Sequence, residues 1–406
     1  MTMHEDAQRL QGDLVRLRRE LHQTPEVGLD LPRTQAIVLR ELEGLPLEVT
    51  TGTTTTSVVA VLRGGRPGPT VLLRGDMDGL PVDEATGLEY AATTGTMHAC
   101  GHDLHIAGLV GAARLLCARQ EELPGNVVFM FQPGEEGYGG AKYMLDEGLL
   151  MASGEKPVAA YAIHVFPGVP GQFELRSGST MAGSNRLEIT VVGRGGHGSQ
   201  PHTAVDPVTA LLGIGSQLHA MITRRFSVFD PVVLTITQLA AGEAVNVIPE
   251  RASLGATVRT LSHESLERVQ EESRSLAEGI AAAHGCTAEV EFVVQYPVTV
   301  NDEAEAQWAG EQLRAAFGAE RVVDAADPLM GSEDFSFVLE QVPGAMIFLH
   351  TSPPGVDPET AAMNHSSTVL FDDAVLGDQA AALALLAQQR LEREVGAAGD
   401  GGAGGP

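Results

Sequence analysis

Apolar positions along this chain of 406 residues follow two rhythms. Leu10, Leu14, Leu17 and Leu21 recur at the spacing that gives a helix one buried face, and a second helix is predicted over 34–42. Short β-prone runs predict strands at 57–62 and 71–74. Two more are Val127-Val128-Phe129-Met130-Phe131 and Ala159-Ala160-Tyr161-Ala162-Ile163. An apolar helix is predicted over 104–119, with Asp103 as its N-cap. Strand and helix in alternation imply right-handed crossovers and a mostly parallel sheet.

From about Arg186 the rhythm changes. Leu187-Glu188-Ile189-Thr190-Val191 alternates as a half-buried strand. A helix over 207–222, strands at 232–239 and 251–259, a helix over 265–283 and a strand at 287–294 follow. The order βαββαβ is that of a ferredoxin-like unit. Domain termini commonly lie close together, so such a unit can be inserted into another domain. A helix over 302–317 and the run Ala345-Met346-Ile347-Phe348-Leu349 then resume the first pattern. The expected organisation is an α/β catalytic domain in two pieces, 1–185 and 296–395, interrupted by an inserted domain at 186–295. A glycine-rich tail at 396–406 is expected to be disordered.

Composition narrows the classes. The length exceeds one ordinary core, and 43% apolar residues suffice for burial. Lys plus Arg number 26 against 53 Asp plus Glu, a net charge of 26 − 53 = −27. That balance excludes the cationic face that nucleic acid or an anionic membrane requires. No stretch is long and apolar enough for a transmembrane helix, and the acidic N-terminus lacks the apolar core of a secretory signal. Three cysteines, Cys100, Cys117 and Cys286, make no disulfide framework. Cys117 and Cys286 read as buried core thiols, and a reducing cytoplasm suits all three.

Metal-ligand chemistry clusters where strands should end. His98-Ala-Cys100-Gly-His102-Asp103 is an irregular loop, Glu135-Glu136 follow Gln132-Pro133-Gly134 just beyond a buried strand, and His164 ends another. In open parallel sheets, ligands bind beyond the carboxyl ends of the strands. Two adjacent carboxylates at such a place carry an uncompensated charge that a cation would remove. Amide hydrolysis needs a Lewis acid, an acidified water and a base. One glutamate as ligand and the other as base meets that need, and spacing alone leaves open which is which.

The segments "HACGHD", "FQPGEEG", "AIHV" and "RGDMDGLP" resemble the dinuclear metal amidohydrolases. That family includes hippurate hydrolases, N-acyl-amino-acid amidohydrolases and plant auxin-conjugate hydrolases, within the aminoacylase and glutamate carboxypeptidase superfamily. "LHQTPEVG", "GRGGHGSQPH", "NVIPE", "GSEDFS" and "NHSSTVLFDD" follow in the family's order, so the likeness runs almost end to end. The resemblance implies Cys100, His102, Glu136, His164 and His365 as ligands of two divalent cations, Zn²⁺ or Mn²⁺, with Co²⁺ and Ni²⁺ also able to serve. It implies Glu135 as general base and Asp78 as the carboxylate that orients a ligand imidazole. Asp76 stands where the carboxypeptidase branch has a histidine ligand, a departure that favours the amidohydrolase branch. His197 resembles a histidine of the inserted lid that steadies the oxyanion, in its own or a partner subunit's site. Asn246 and Arg259 match positions that bind the substrate's polar end, and Gly331 and Glu333 are candidates to shape the pocket. The resemblance further implies a homodimer or larger oligomer through the inserted domain. The expected activity is hydrolysis of N-acyl amino acids. The rivals are a carboxypeptidase or dipeptidase on the same scaffold, and a silent binding protein that keeps the fold.

Overall fold

A computed structural model describes residues 2–400, with side chains as far as Gly396. The chain forms two compact units. One comprises the residues up to Gly178, Val300–Asp327 and Asp334 onward; the other comprises Ser179–Thr299 and Pro328–Glu333.

The first unit is built on an eight-stranded sheet. Its strand order is Leu47–Thr51, Val58–Arg63, Pro124–Gln132, Arg66–Asp76, Ala159–Phe166, Gly344–His350, Phe173–Leu175, Val322–Asp324. From Pro124–Gln132 to Gly344–His350 all neighbours are parallel, and antiparallel pairing appears toward both edges. The central strands are buried on both faces, which is why they read as unbroken apolar runs rather than alternating ones. The edge strands Leu47–Thr51 and Val322–Asp324, and Phe173–Leu175 next to an edge, are short or polar, and the apolar pattern does not announce them.

The helices Met3–His22, His102–Cys117 and Leu376–Asp400 pack against one another. His102–Cys117 is buried nearly all round, so it needs small residues where its neighbours cross. A Cβ at Gly111 would sit 2.6 Å from the Ala380 Cβ. The helix begins at His102 with Gly101 as its N-cap, so Asp103 is not the cap. The Asp103 carboxylate instead receives the Arg18 Nε at 2.7 Å and the His22 Nδ1 at 2.8 Å, because the buried Arg18 charge has the stronger claim on it. Cys117, expected in the core, is only half-buried at the end of this helix, whereas Cys286 is buried. The last helix runs through Asp400, past the start of the expected disordered tail, because a helix already nucleated gains one backbone bond for each residue it adds. Residues 401–406 lie outside the described residues.

The second unit has a four-stranded antiparallel sheet in the order Val233–Ala241, Arg251–Thr260, Gly183–Val192, Thr287–Tyr296. Its helices Pro207–Arg225 and His263–Ala283 share a core with the sheet that includes Leu187, Ile189, Ile214, Leu218 and Val258. This is the ferredoxin-like order. A small ribbon pairs Gly196–His197 with Val247–Ile248. Pro328–Glu333 joins this unit because Leu329 bonds the backbone of Thr180 and Ala182, a return that no periodicity signals. Among the described residues, no helix is long and apolar enough to cross a membrane.

Candidate metal centre

Parallel pairing brings the carboxyl ends of three central strands to one sheet edge. Asp76 ends one strand and Asp78 follows it, Gln132 ends the next and leads through Gly134 to Glu135 and Glu136, and His164 lies near the end of the third. The loop carrying Cys100 and His102 meets them there. Gly101 separates those two residues at φ 80°, and a Cβ on it would lie 2.3 Å from the Val165 Cγ2. Only glycine lets the thiol and the imidazole share this tight loop.

The donor atoms of Cys100, His102 and His164 lie within 4.8 Å of one another, as do those of Cys100, Glu136 and His365. Two donor sets therefore share one thiol. The Cys100 Sγ is 3.5 Å from the His164 Nε2, and the His365 Nε2 is 3.1 Å from the Glu136 Oε1. The His102 Nε2 is 4.0 Å from that same carboxylate oxygen. Glu135, Glu136 and His102 make a further such set.

This donor set suits divalent cations on three observations. The His102 Nε2 and the Glu136 Oε1 lie 4.0 Å apart and each lacks an aligned hydrogen-bond partner, as two ligands of a shared cation would without it. The His164 Nδ1 donates to the Val165 carbonyl at 2.9 Å, which leaves its Nε2 lone pair facing the thiol. Burial and the neighbouring His105 hold the His164 ring well below the ordinary imidazole pKa, the neutral state in which an imidazole can bind a metal. For His102 burial also opposes charge, but Asp76, Asp78 and Cys100 outweigh it and push the ring well above that value. Asp76, Asp78 and Glu136 thus crowd one ring, and a cation bound there would balance their charge.

Asp78 ties the site together. Its Oδ1 accepts the Glu135 N–H and its Oδ2 the Glu136 N–H, each at 3.0 Å. The Oδ1 also lies 3.4 Å from the His102 Nδ1. One buried carboxylate thus sets both glutamates and an imidazole. His365 sits at φ 72°, the left-handed region, as no other described non-glycine residue does. Its N–H donates to the Ala99 carbonyl at 2.8 Å, which tethers it to the cysteine loop. At 55% side-chain exposure, it is the open side of an otherwise buried group.

The candidates His197, Asn246, Arg259, Gly331 and Glu333 all belong to the second unit. His197 pairs with Val247, and Gly198 donates to the Asn246 carbonyl, so the two polar candidates share one ribbon. The His197 Nδ1 contacts the Ser199 hydroxyl at 2.8 Å. Arg259 is half-buried, with its Nη1 buried and unpartnered, and burial lowers its pKa. Gly331 faces the Met181 methyl, and Glu333 is buried.

Five residues near the candidate ligands, Asp334 among them, were not singled out from the sequence. Arg74, in the strand Arg66–Asp76, and Gln132 both bond Asp334, and Arg74 also holds Asp76. His105 contacts Asp76. Asn364 donates to the Val165 carbonyl at 3.2 Å and lies 3.4 Å from the Cys100 Sγ. Arg74 and Asp76 alternate on one strand face and His105 is one helical turn past His102, so spacing did carry a signal for these.

The family described as Peptidase family M20/M25/M40 matches residues 72–389. Thermostable carboxypeptidase 2 of Saccharolobus solfataricus is 35% identical over 391 residues, covering 95% of this chain and 97% of its own. Hippurate hydrolase of Campylobacter jejuni is 35% identical over 387 residues, covering 94% and 98%. The solved structure of the Bacillus subtilis YXEP protein, described as a dinuclear metal binding peptidase, has a TM-score of 0.82 at 33% identity and covers 95% of this chain and 99% of that one.

Proposed function

The chain belongs to peptidase family M20/M25/M40 and is a metal-dependent hydrolase; from that premise we propose that it cleaves the amide bond of N-acyl amino acids. The substrates are of the hippurate or N-acetyl type, and the products are a carboxylic acid and a free amino acid. The observation that carries this reading is the pair of donor sets sharing Cys100, with Glu135 grouped beside His102 and Glu136.

Cys100, His102, Glu136, His164 and His365 would hold two divalent cations, Zn²⁺ or Mn²⁺. Bound there, the cations polarise the scissile carbonyl and acidify water. Glu135 takes the proton of the attacking water on a carboxylate oxygen and delivers it to the departing amine nitrogen. Asp78 holds the Glu135 backbone and steadies the His102 ring, so base and ligand keep their relative placement. His197 is assigned as donor to the developing oxyanion, and Asn246 and Arg259 as partners of the substrate carboxylate. Gly331 and Glu333 are assigned to the pocket wall. A reducing cytoplasm would keep the shared thiol unoxidised.

The testing experiment is a substrate panel run on protein whose metal content is measured alongside. N-benzoyl and N-acetyl amino acids should be cleaved with kcat/KM at least about tenfold above dipeptides and longer peptides with free carboxyl ends, a difference of about 1.4 kcal/mol in the transition state. Faster peptide cleavage would favour the carboxypeptidase reading, which the Saccharolobus relative supports. No turnover with two ions bound would favour a silent binding protein. The inserted unit is proposed to make a homodimer. Its outer strand Val233–Ala241 is largely exposed at the sheet edge and offers unpaired backbone groups to a second copy. Light scattering should return twice the chain mass, and a monomer at micromolar concentration would refute this.

A further inference from the structure

A hydrogen-bond chain leads away from His164 into the protein interior. The Val165 N–H donates to the His105 Nε2 at 2.9 Å. A backbone amide can only donate, so that nitrogen is the acceptor and the ring proton sits on Nδ1. Nδ1 then donates to the Asp76 Oδ1 at 2.5 Å. The other oxygen of Asp76 accepts the Arg74 Nη1 at 2.6 Å. On its far side the Val165 carbonyl receives the His164 Nδ1–H and the Asn364 amide. Arg74, Asp76 and His105 are all about fully buried.

The donor atoms of Asp76, His102 and His105 lie within 4.8 Å of one another and would pass for a third metal site. His105 is excluded as a ligand there, because its Nε2 lone pair is taken by the Val165 N–H and its Nδ1 carries the proton given to Asp76. We infer that His105, with its tautomer set by Asp76 and Arg74, is a positioning residue that clamps the Val165 backbone and thereby aims the His164 imidazole at the metal pair. The inference rests on the metal assignment above and extends it to residues that contact no substrate. It implies that an acceptor at the His105 Nε2 position, not the imidazole itself, is what the site requires. Glutamine can offer a carbonyl there, and leucine of similar size cannot.

Metal-free protein would be titrated with Zn²⁺ against a chromogenic chelator, for wild type, His105→Gln and His105→Leu. Wild type should take up two ions per chain. His105→Leu should bind one of the two about 10- to 100-fold more weakly, the range typical when a metal ligand loses its outer partner. His105→Gln should hold both nearly as wild type does, a rescue that a purely space-filling role would not give. Wild-type affinity for both ions in His105→Leu overturns the inference, as does equal loss in the two variants. If wild type itself binds no divalent ion, the proposed function fails instead. Should the leucine variant not fold, ¹⁵N-histidine spectra of wild type decide the matter. The resonances absent from His105→Gln must report a protonated Nδ1 and a bare Nε2, and the opposite tautomer refutes the clamp.

Discussion

Glu135→Gln should lower kcat about 10²- to 10⁴-fold, the usual contribution of a positioned general base, while two cations remain bound. Glutamine keeps the side-chain length and the backbone N–H that Asp78 accepts at 3.0 Å, so the loop should not move. What it loses is a carboxylate oxygen able to take a proton, at a residue only 6% exposed. Water has little room to substitute for the lost base there. KM should change little, since the change removes an interaction of the transition state rather than of ground-state binding. Glu136→Gln should behave in the opposite way. That carboxylate belongs to the set with Cys100 and His365, so its loss should appear first as a weaker metal ion and only then as a lower rate at subsaturating metal. Metal analysis beside steady-state kinetics separates the two. A glutamine at 135 that leaves kcat within threefold of wild type, or that empties the site, would remove Glu135 from the role of base.

The contrast between these glutamates shows where sequence reasoning stopped. Their place just past a buried strand was legible, because five consecutive apolar residues closed by Gln-Pro-Gly can hardly be anything but a central strand and its turn. Which of the pair joins the donor set of Cys100 and His365 depends on loop torsions and on Asp78, and a carboxylate that binds two backbone N–H groups from another loop leaves no periodic trace. His365 is the extreme case. Its ring reaches the site only because the backbone adopts a left-handed conformation anchored on the Ala99 carbonyl, and neither feature has a sequence signature; only the family resemblance pointed to it. In the inserted unit the strand Gly183–Val192 was readable, because from Leu187 onward it alternates buried and more open positions. Boundaries there differ from expectation by a few residues, as strand and helix ends usually do. In the first unit the edge strands were lost because three to five residues of mixed polarity cannot be told from loop. Asp103 was misread for a related reason. Its position before an apolar helix suits a cap, but a buried arginine from a distant helix claims the carboxylate, and such long-range competition is invisible locally.

Replacing Asp103 should destabilise the first unit by about 3–5 kcal/mol, the usual cost of removing one partner of a buried ion pair. Arg18 is 1% exposed and bonds Asp103 at 2.7 Å, Asp373 at 2.8 Å and the Tyr90 hydroxyl at 2.8 Å. His22 spans two carboxylates, with its Nδ1 2.8 Å from Asp103 and its Nε2 3.1 Å from Glu84. Asp103→Asn would leave the guanidinium with Asp373 as its remaining carboxylate and His22 with Glu84 alone. The pH dependence follows from the direction of each shift. Burial opposes charge on His22, but Asp103 and Glu84 raise its pKa above the ordinary value. Its contribution is therefore complete below the unfolded value of about 6.5 and is lost as pH rises through the higher folded value. Burial likewise opposes charge on Asp103, yet Arg18 and His22 hold it low. Its contribution is complete above an unfolded value of about 3.9 and is lost as pH falls through the lower folded one. The cluster should stabilise the unit most between about pH 5 and 6.5. Trp308 is the single tryptophan of the chain and packs against the core of this unit, so its fluorescence in urea follows this unit. Wild type should lose stability from about pH 6.5 upward, through the higher folded value of His22, and Asp103→Asn should start lower and decline less steeply. Parallel curves for the two proteins would mean that His22 is not protonated in the fold and that the cluster holds Asp103 by Arg18 alone.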